Sequence, residues 1–198
     1  MKSVLISIQP RWCDLIARGL KTVEVRKTRP KLEPPFKCYI YCTLQGSNEF
    51  FRETLGGDIA EWDRSRTADR KGKVIAEFIC DDCSALCKHH LSYIEEYALL
   101  PEEKLFEYLG ISGDKNLTYE NIGCYGWHIS ELKIYDEPKN IVDFYFPTDK
   151  YCEKELCGGC PYDCVPGESG DVMFDCEWKR PLKRPPQSWC YVEEHKEM

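Results

Sequence analysis

The chain has 198 residues, 42% of them apolar, and a formal net charge of −7 at pH 7. This length and apolar content suit one domain with an insertion, or one and a half domains, with a real core. The acid excess argues against broad, sequence-independent adhesion to DNA or RNA, which needs many Lys or Arg contacts to phosphate; no run of about 18 apolar residues is present to span a membrane.

The first residues alternate in polarity and predict a strand over Lys2–Ile8, with no long apolar stretch of a signal peptide. Pro10 suits the first position of a helix, and Trp12, Leu15 and Ile16 give that helix one apolar face. Gly19 can end it in the left-handed conformation. From Lys21 the period changes to two. Val23 and Val25 point one way, and Thr22, Glu24 and Arg26 the other. One face therefore carries a carboxylate and a guanidinium two residues apart, with the Lys21 ammonium at the entrance. This is the chemistry of a small polar pocket. Whether Glu24 pairs with Lys21 or with Arg26 is open at this level, because same-face neighbours on a strand sit about 7 Å apart.

The following segment holds Pro30, Pro34 and Pro35 and reads as a rigid connection. Lys37–Thr43 is a strand. Gln45–Arg70, polar and carrying Gly56-Gly57, is an excursion without a clear period. Lys73–Cys80 is a strand apolar enough to be buried on both faces. Ser92 with Glu95 predicts a capping box opening a helix through Tyr97 and Leu99; Pro101 begins another, with Leu105, Phe106 and Leu109 on one face and Gly110 ending it. Tyr125–Tyr135 reads as one long strand stopped by Pro138, followed by a short apolar segment over Ile141–Phe146. Pro147–Arg184 is dense in Cys, Gly and Pro. A last strand covers Ser188–Val192.

The order Gly19, Lys21, Glu24, Arg26, as G-x-K-x-x-E-x-R between a short helix and a strand, resembles the signature of ASCH domains, members of the PUA-like superfamily. The WHIS strand and the terminal PPQSWCYV are similar to elements of the larger ASCH proteins of phages and bacteria. The resemblance implies an α+β fold, a PUA-like, mostly antiparallel β-barrel with short flanking helices, formed by residues 1–146 and 185–193, with 147–184 as a Cys-rich insertion. A barrel that closes on itself makes its first and last strands neighbours, which would bring Ser188 and Trp189 near the signature strand. It also implies a binding role for RNA or a modified nucleotide. Lys21 and Arg26 would contact phosphate or a base edge, Glu24 would accept from an exocyclic amine, and Trp12, Trp127 or Trp189 would stack on a base. An acidic chain can bind one nucleotide in this way.

Two alternatives accompany this reading. One family member is an acetylcytidine amidohydrolase whose lysine matches Lys21. Glu24 stands where its threonine would be, so a catalytic Lys21/Glu24 pair is a departure from that pattern; its distant glutamate has Glu95 or Glu96 as counterparts. The other is a protein-interaction module using the Cys-rich insertion.

The cysteines carry a separate signal. Thirteen, an odd number, without a secretion signal, argue for reduced thiols and a cytoplasmic chain. Cys152, Cys157, Cys160 and Cys164 form C-x4-C-x2-C-x3-C. Four thiolates this close suit a structural zinc, with an iron–sulfur cluster as the alternative metal. Cys176 and Cys190 are substitute ligands. Cys80, Cys83 and Cys87 with His89 and His90 form a weaker set, expected to be buried thiols beside surface histidines. Cys13, Cys38, Cys42 and Cys124 read as small core residues.

Overall fold

The computed structural model describes residues 2–44, 70–111, 122–147 and 181–194. Strands and helices follow in the order β1 (Ser3–Ile8), α1 (Pro10–Ala17), β2 (Val23–Arg26), β3 (Phe36–Cys42), β4 (Val74–Cys80), β5 (Cys83–Ala85), α2 (Leu91–Ala98), α3 (Glu102–Leu109), β6 (Tyr125–His128), β7 (Ser130–Lys139), β8 (Phe144–Tyr145) and β9 (Trp189–Glu194). Six strands form a curled sheet in the order β7-β4-β3-β1-β9-β8, and β2-β6-β5 form a smaller one. Every pairing is antiparallel except β1 with β3. This is an α+β, mostly antiparallel fold with a curled half-barrel sheet, consistent with the PUA-like barrel that the resemblance implies. The first and last strands are neighbours as expected, with Val4 opposite Tyr191 and Ile6 opposite Trp189.

The core lies between the sheets. Val4, Ile6 and Ile8 of β1, Cys38 and Ile40 of β3 and Phe78 of β4 pack against Trp127 of β6 and Ile16 of α1. The opposite face of the large sheet is also covered: Leu5, Tyr39, Tyr41 and Val74 meet Phe144, Leu182 and Val192. Val4, Leu5 and Ile6 are therefore apolar in unbroken succession where alternation is expected, since a strand covered on both faces needs no polar side. Leu182, near the end of the Cys-rich stretch, is thus part of the body, and its N–H donates to Phe144 O at 2.8 Å. A third cluster joins Val23 and Val25 of β2 to Ile94 and Ala98 of α2 and Leu105 of α3.

Three expectations are corrected. The Tyr125–Tyr135 segment is two strands, β6 in the small sheet and β7 in the large one. The chain changes sheet at Ile129, whose N–H donates to Thr22 O, and Glu131 takes a left-handed φ of 48° just beyond. Pro138 does not end β7, which runs to Lys139. The strand lies at the sheet edge, where a missing N–H costs no ladder bond. Ser92 does not cap α2. The helix starts at Leu91 behind a 3-10 turn over Lys88–His90. The reciprocal cap lies one turn upstream, where the Cys87 N–H donates to His90 Nδ1 at 3.0 Å.

Other expectations hold. Gly19 adopts φ 71° and Gly110 φ 75° at the helix ends. Cys13, Cys38, Cys42, Cys80 and Cys124 are buried. Among the described residues no group of three or more metal-ligating side chains is found. Cys152, Cys157, Cys160 and Cys164 lie outside the described residues, as does all but Arg70 of the 45–70 excursion.

Candidate functional site

The β-alternation of β2 sorts its side chains to opposite sides. Val23 and Val25 go to the helices; Glu24 and Arg26 go inward toward α1 and β1. Lys21, Glu24 and Arg26 are 3%, 7% and 9% exposed, so three charged side chains are almost wholly removed from water. Such burial is costly unless every charge finds partners.

Lys21 is fully partnered. Its Nζ donates to Val23 O and Ala98 O, each at 2.8 Å, and lies 3.3 Å from Glu24 Oε2. Three acceptors meet the three N–H bonds of an ammonium. The Trp12 ring adds a cation–π contact at 5.0 Å, and Arg11 stands over the same ring at 4.4 Å. Burial pushes the Lys21 pKa down. Glu24 opposes that shift, whereas Arg26 and Arg11 add to it.

Glu24 divides its two oxygens. Oε2 faces Lys21 and Oε1 faces Arg26 Nη2 at 3.0 Å, so both pairings left open by the sequence are made at once. Arg26 then ties the strand to two others. Its Nη2 donates to Ser7 O of β1 at 2.6 Å, and Nη1 reaches Ser188 Oγ before β9 at 3.4 Å. Ser188 is itself placed by β1, since the Ser7 N–H donates to Ser188 O at 2.9 Å and Ser7 Oγ donates to Pro186 O at 2.7 Å. Arg26 Nε is buried with no hydrogen-bond partner among the described residues.

The aromatic candidates fall in different places. Trp12 and Trp189 are half-buried at the edge of the cluster. Trp189 donates from Nε1 to Thr28 Oγ1 at 3.0 Å. Trp127 is wholly buried, edge-on to Phe36 at 5.9 Å and 6.0 Å from Trp189. Its place is the core beneath the cluster. His128 lies on the far face, paired with Asp81 at 2.6 Å. Glu95 and Glu96 are exposed on α2.

Several contributors had no readable signature. Ser7, Val23 and Ala98 act through backbone carbonyls, which any residue possesses. Tyr108 of α3 lies within electrostatic reach of Arg26 and Glu24; burial raises its pKa. The i, i+3 pattern of α3 predicts its buried face and says nothing of where the helix docks. Arg11, beside Trp12, is the one that the sequence could have offered.

Fold and site together define a small α+β module whose first, second and last strands converge on a buried polar cluster with more positive than negative charge. No family model and no curated protein matches the chain. Among solved structures it is similar to an ASCH protein from Zymomonas mobilis. One mutant of that protein aligns with a TM-score of 0.47 at 17% identity, over 71% of this chain and 77% of that one. A second mutant gives 0.46 at 17%, over 70% and 73%, and the unmutated protein 0.42 at 18%, over 70% and 73%. Among the described residues no helix is long and apolar enough to cross a membrane.

Proposed function

We propose that the chain is an ASCH-type module that binds RNA or a modified nucleotide at the Lys21/Glu24/Arg26 cluster. The observation that carries this reading is the charge imbalance: among the described residues two buried cations share one carboxylate, and Arg26 Nε has no acceptor. A buried donor without a partner costs about 1–3 kcal/mol. A ligand bringing negative charge and an acceptor atom would relieve both deficits, and a nucleotide carries phosphate oxygens and base carbonyls. The half-buried rings of Trp12 and Trp189 at the edge add stacking surface worth about 1–3 kcal/mol per base. A single-nucleotide target is compatible with a net charge of −7.

Tryptophan fluorescence titrated with uridine 5′-monophosphate and with short RNA tests this reading. Saturable quenching that disappears in Arg26→Ala is expected. No quenching of the unaltered protein by either probe would overturn it.

One observation favours the second reading, an amidohydrolase acting on an acylated nucleoside: burial lowers the Lys21 pKa, as a lysine base requires. Against it, the three acceptors around Nζ leave no direction for a free lone pair without displacing one of them. Acetate released from N4-acetylcytidine by the native protein and not by Lys21→Ala would establish hydrolysis. The spacing of Cys152, Cys157, Cys160 and Cys164 supports a structural zinc held by these four thiolates, and the Cys-rich composition of that stretch supports a protein partner there.

A further inference from the structure

The segment after β2 carries three exposed cations, Lys27, Arg29 and Lys31, and one carboxylate, Glu33. In a chain of net charge −7 this is a local reversal of sign. Each position is tied to an aromatic residue or next to one that is. Lys27 Nζ stands 5.2 Å over the Tyr108 ring. Arg29 lies 6.0 Å over Tyr125, and its Nη1 donates to Cys83 O at 3.3 Å. The Lys31 N–H donates to the Tyr191 hydroxyl at 2.7 Å. Between them, Thr28 Oγ1 accepts from Trp189.

This ridge is continuous with the cluster. Trp189 follows Ser188, which meets Arg26. Tyr108, under Lys27, feels the charges of Arg26 and Glu24. Cations interleaved with aromatic faces are what proteins use to hold single strands: the cations take phosphates, and the rings take unstacked bases. A free mononucleotide at the cluster would leave the cations Lys27, Arg29 and Lys31 unused.

We propose that the ridge formed by Lys27, Arg29 and Lys31 with Tyr108 and Trp189 carries the sugar–phosphate backbone of a single-stranded oligonucleotide, one nucleotide of which occupies the Lys21/Glu24/Arg26 cluster. This deepens the reading above and rests on it.

The double variant Lys27→Gln/Lys31→Gln tests it, because both side chains are exposed and their loss does not threaten folding. Binding of uridine 5′-monophosphate and of a ten-nucleotide oligouridylate is measured for the native protein and the variant at several salt concentrations. The expected result is unchanged affinity for the mononucleotide and a loss of about tenfold or more for the oligomer. The slope of log K against log salt for the oligomer falls by about 1.4, since each phosphate contact on a single strand contributes about 0.7. If the mononucleotide binds and the variant holds the oligomer as tightly as the native protein does, the ridge is overturned and the cluster stands. If neither probe binds the native protein, the cluster reading fails and the ridge with it.

Discussion

Lys21 closes the end of helix α2: its ammonium donates to the carbonyl of Ala98, the last helical residue, at 2.8 Å. The final carbonyls of a helix have no partner within it and carry the negative end of its dipole, so a cation there satisfies both. The neighbouring Thr22 N–H donates to Tyr97 O at 2.9 Å, and Leu99 turns away with a left-handed φ of 52°. The signature lysine thus fastens the helical layer to the sheet while also facing Glu24.

That dual position gives the first prediction. Lys21→Ala removes the partner of one Glu24 oxygen and of two buried carbonyls. Breaking a buried charge pair on one side costs about 3–5 kcal/mol, so a fall in stability of that size is expected in urea unfolding. A loss below about 1 kcal/mol would mean that water or a neighbour replaces the ammonium, and the capping role would be wrong.

Acid stability offers an independent test away from the cluster. Glu77 on β4 lies 2.8 Å from Lys37 Nζ of β3 and accepts from the Tyr135 hydroxyl of β7 at 2.6 Å. Burial alone would raise its pKa, but hydrogen bonds from Lys37 and Tyr135 outweigh that and hold it below its ordinary 4.5. A carboxylate with a depressed folded-state pKa stabilises the fold above its unfolded value and loses that contribution as the pH falls through the folded value. The stability difference between the native protein and Glu77→Gln should stay constant from about pH 7 to pH 5.5 and shrink below about pH 4.5. A difference that persists unchanged at about pH 3 would contradict the Lys37–Glu77–Tyr135 assignment.

The proposed zinc is tested by elemental analysis of protein purified without chelator. About one zinc per chain is expected, falling toward zero in Cys157→Ser/Cys160→Ser, because a tetrahedral site cannot be closed by two thiolates. Iron in place of zinc would assign the cluster to iron–sulfur chemistry. A metal content near zero in the native protein would remove both.

Much of the site was legible because β-alternation is a local rule. The sequence Val23-Glu24-Val25-Arg26 dictates that two valines and two charged groups part company, and they do. The left-handed ends at Gly19 and Gly110 follow equally from the one residue without a Cβ. The sheet change at Ile129 shows in the sequence only as a one-residue slip of phase: the core-facing positions run Trp127, Ile129 and then Leu132, Ile134, with the exposed Glu131 at the corner. Pro138 misled because its cost depends on whether the strand has a neighbour on its N–H side, which is a property of the sheet. The partners of Lys21 and Arg26 are mostly carbonyls delivered by tertiary packing, and no side-chain pattern encodes them.

A crystal structure of the protein with uridine 5′-monophosphate bears most directly on the function. The nucleotide should lie at the cluster with an oxygen within hydrogen-bond distance of Arg26 Nε, next to Ser188 and the edge of Trp12 or Trp189. A nucleotide bound elsewhere, with Arg26 Nε still unpartnered, would contradict the binding role assigned to the Lys21/Glu24/Arg26 cluster.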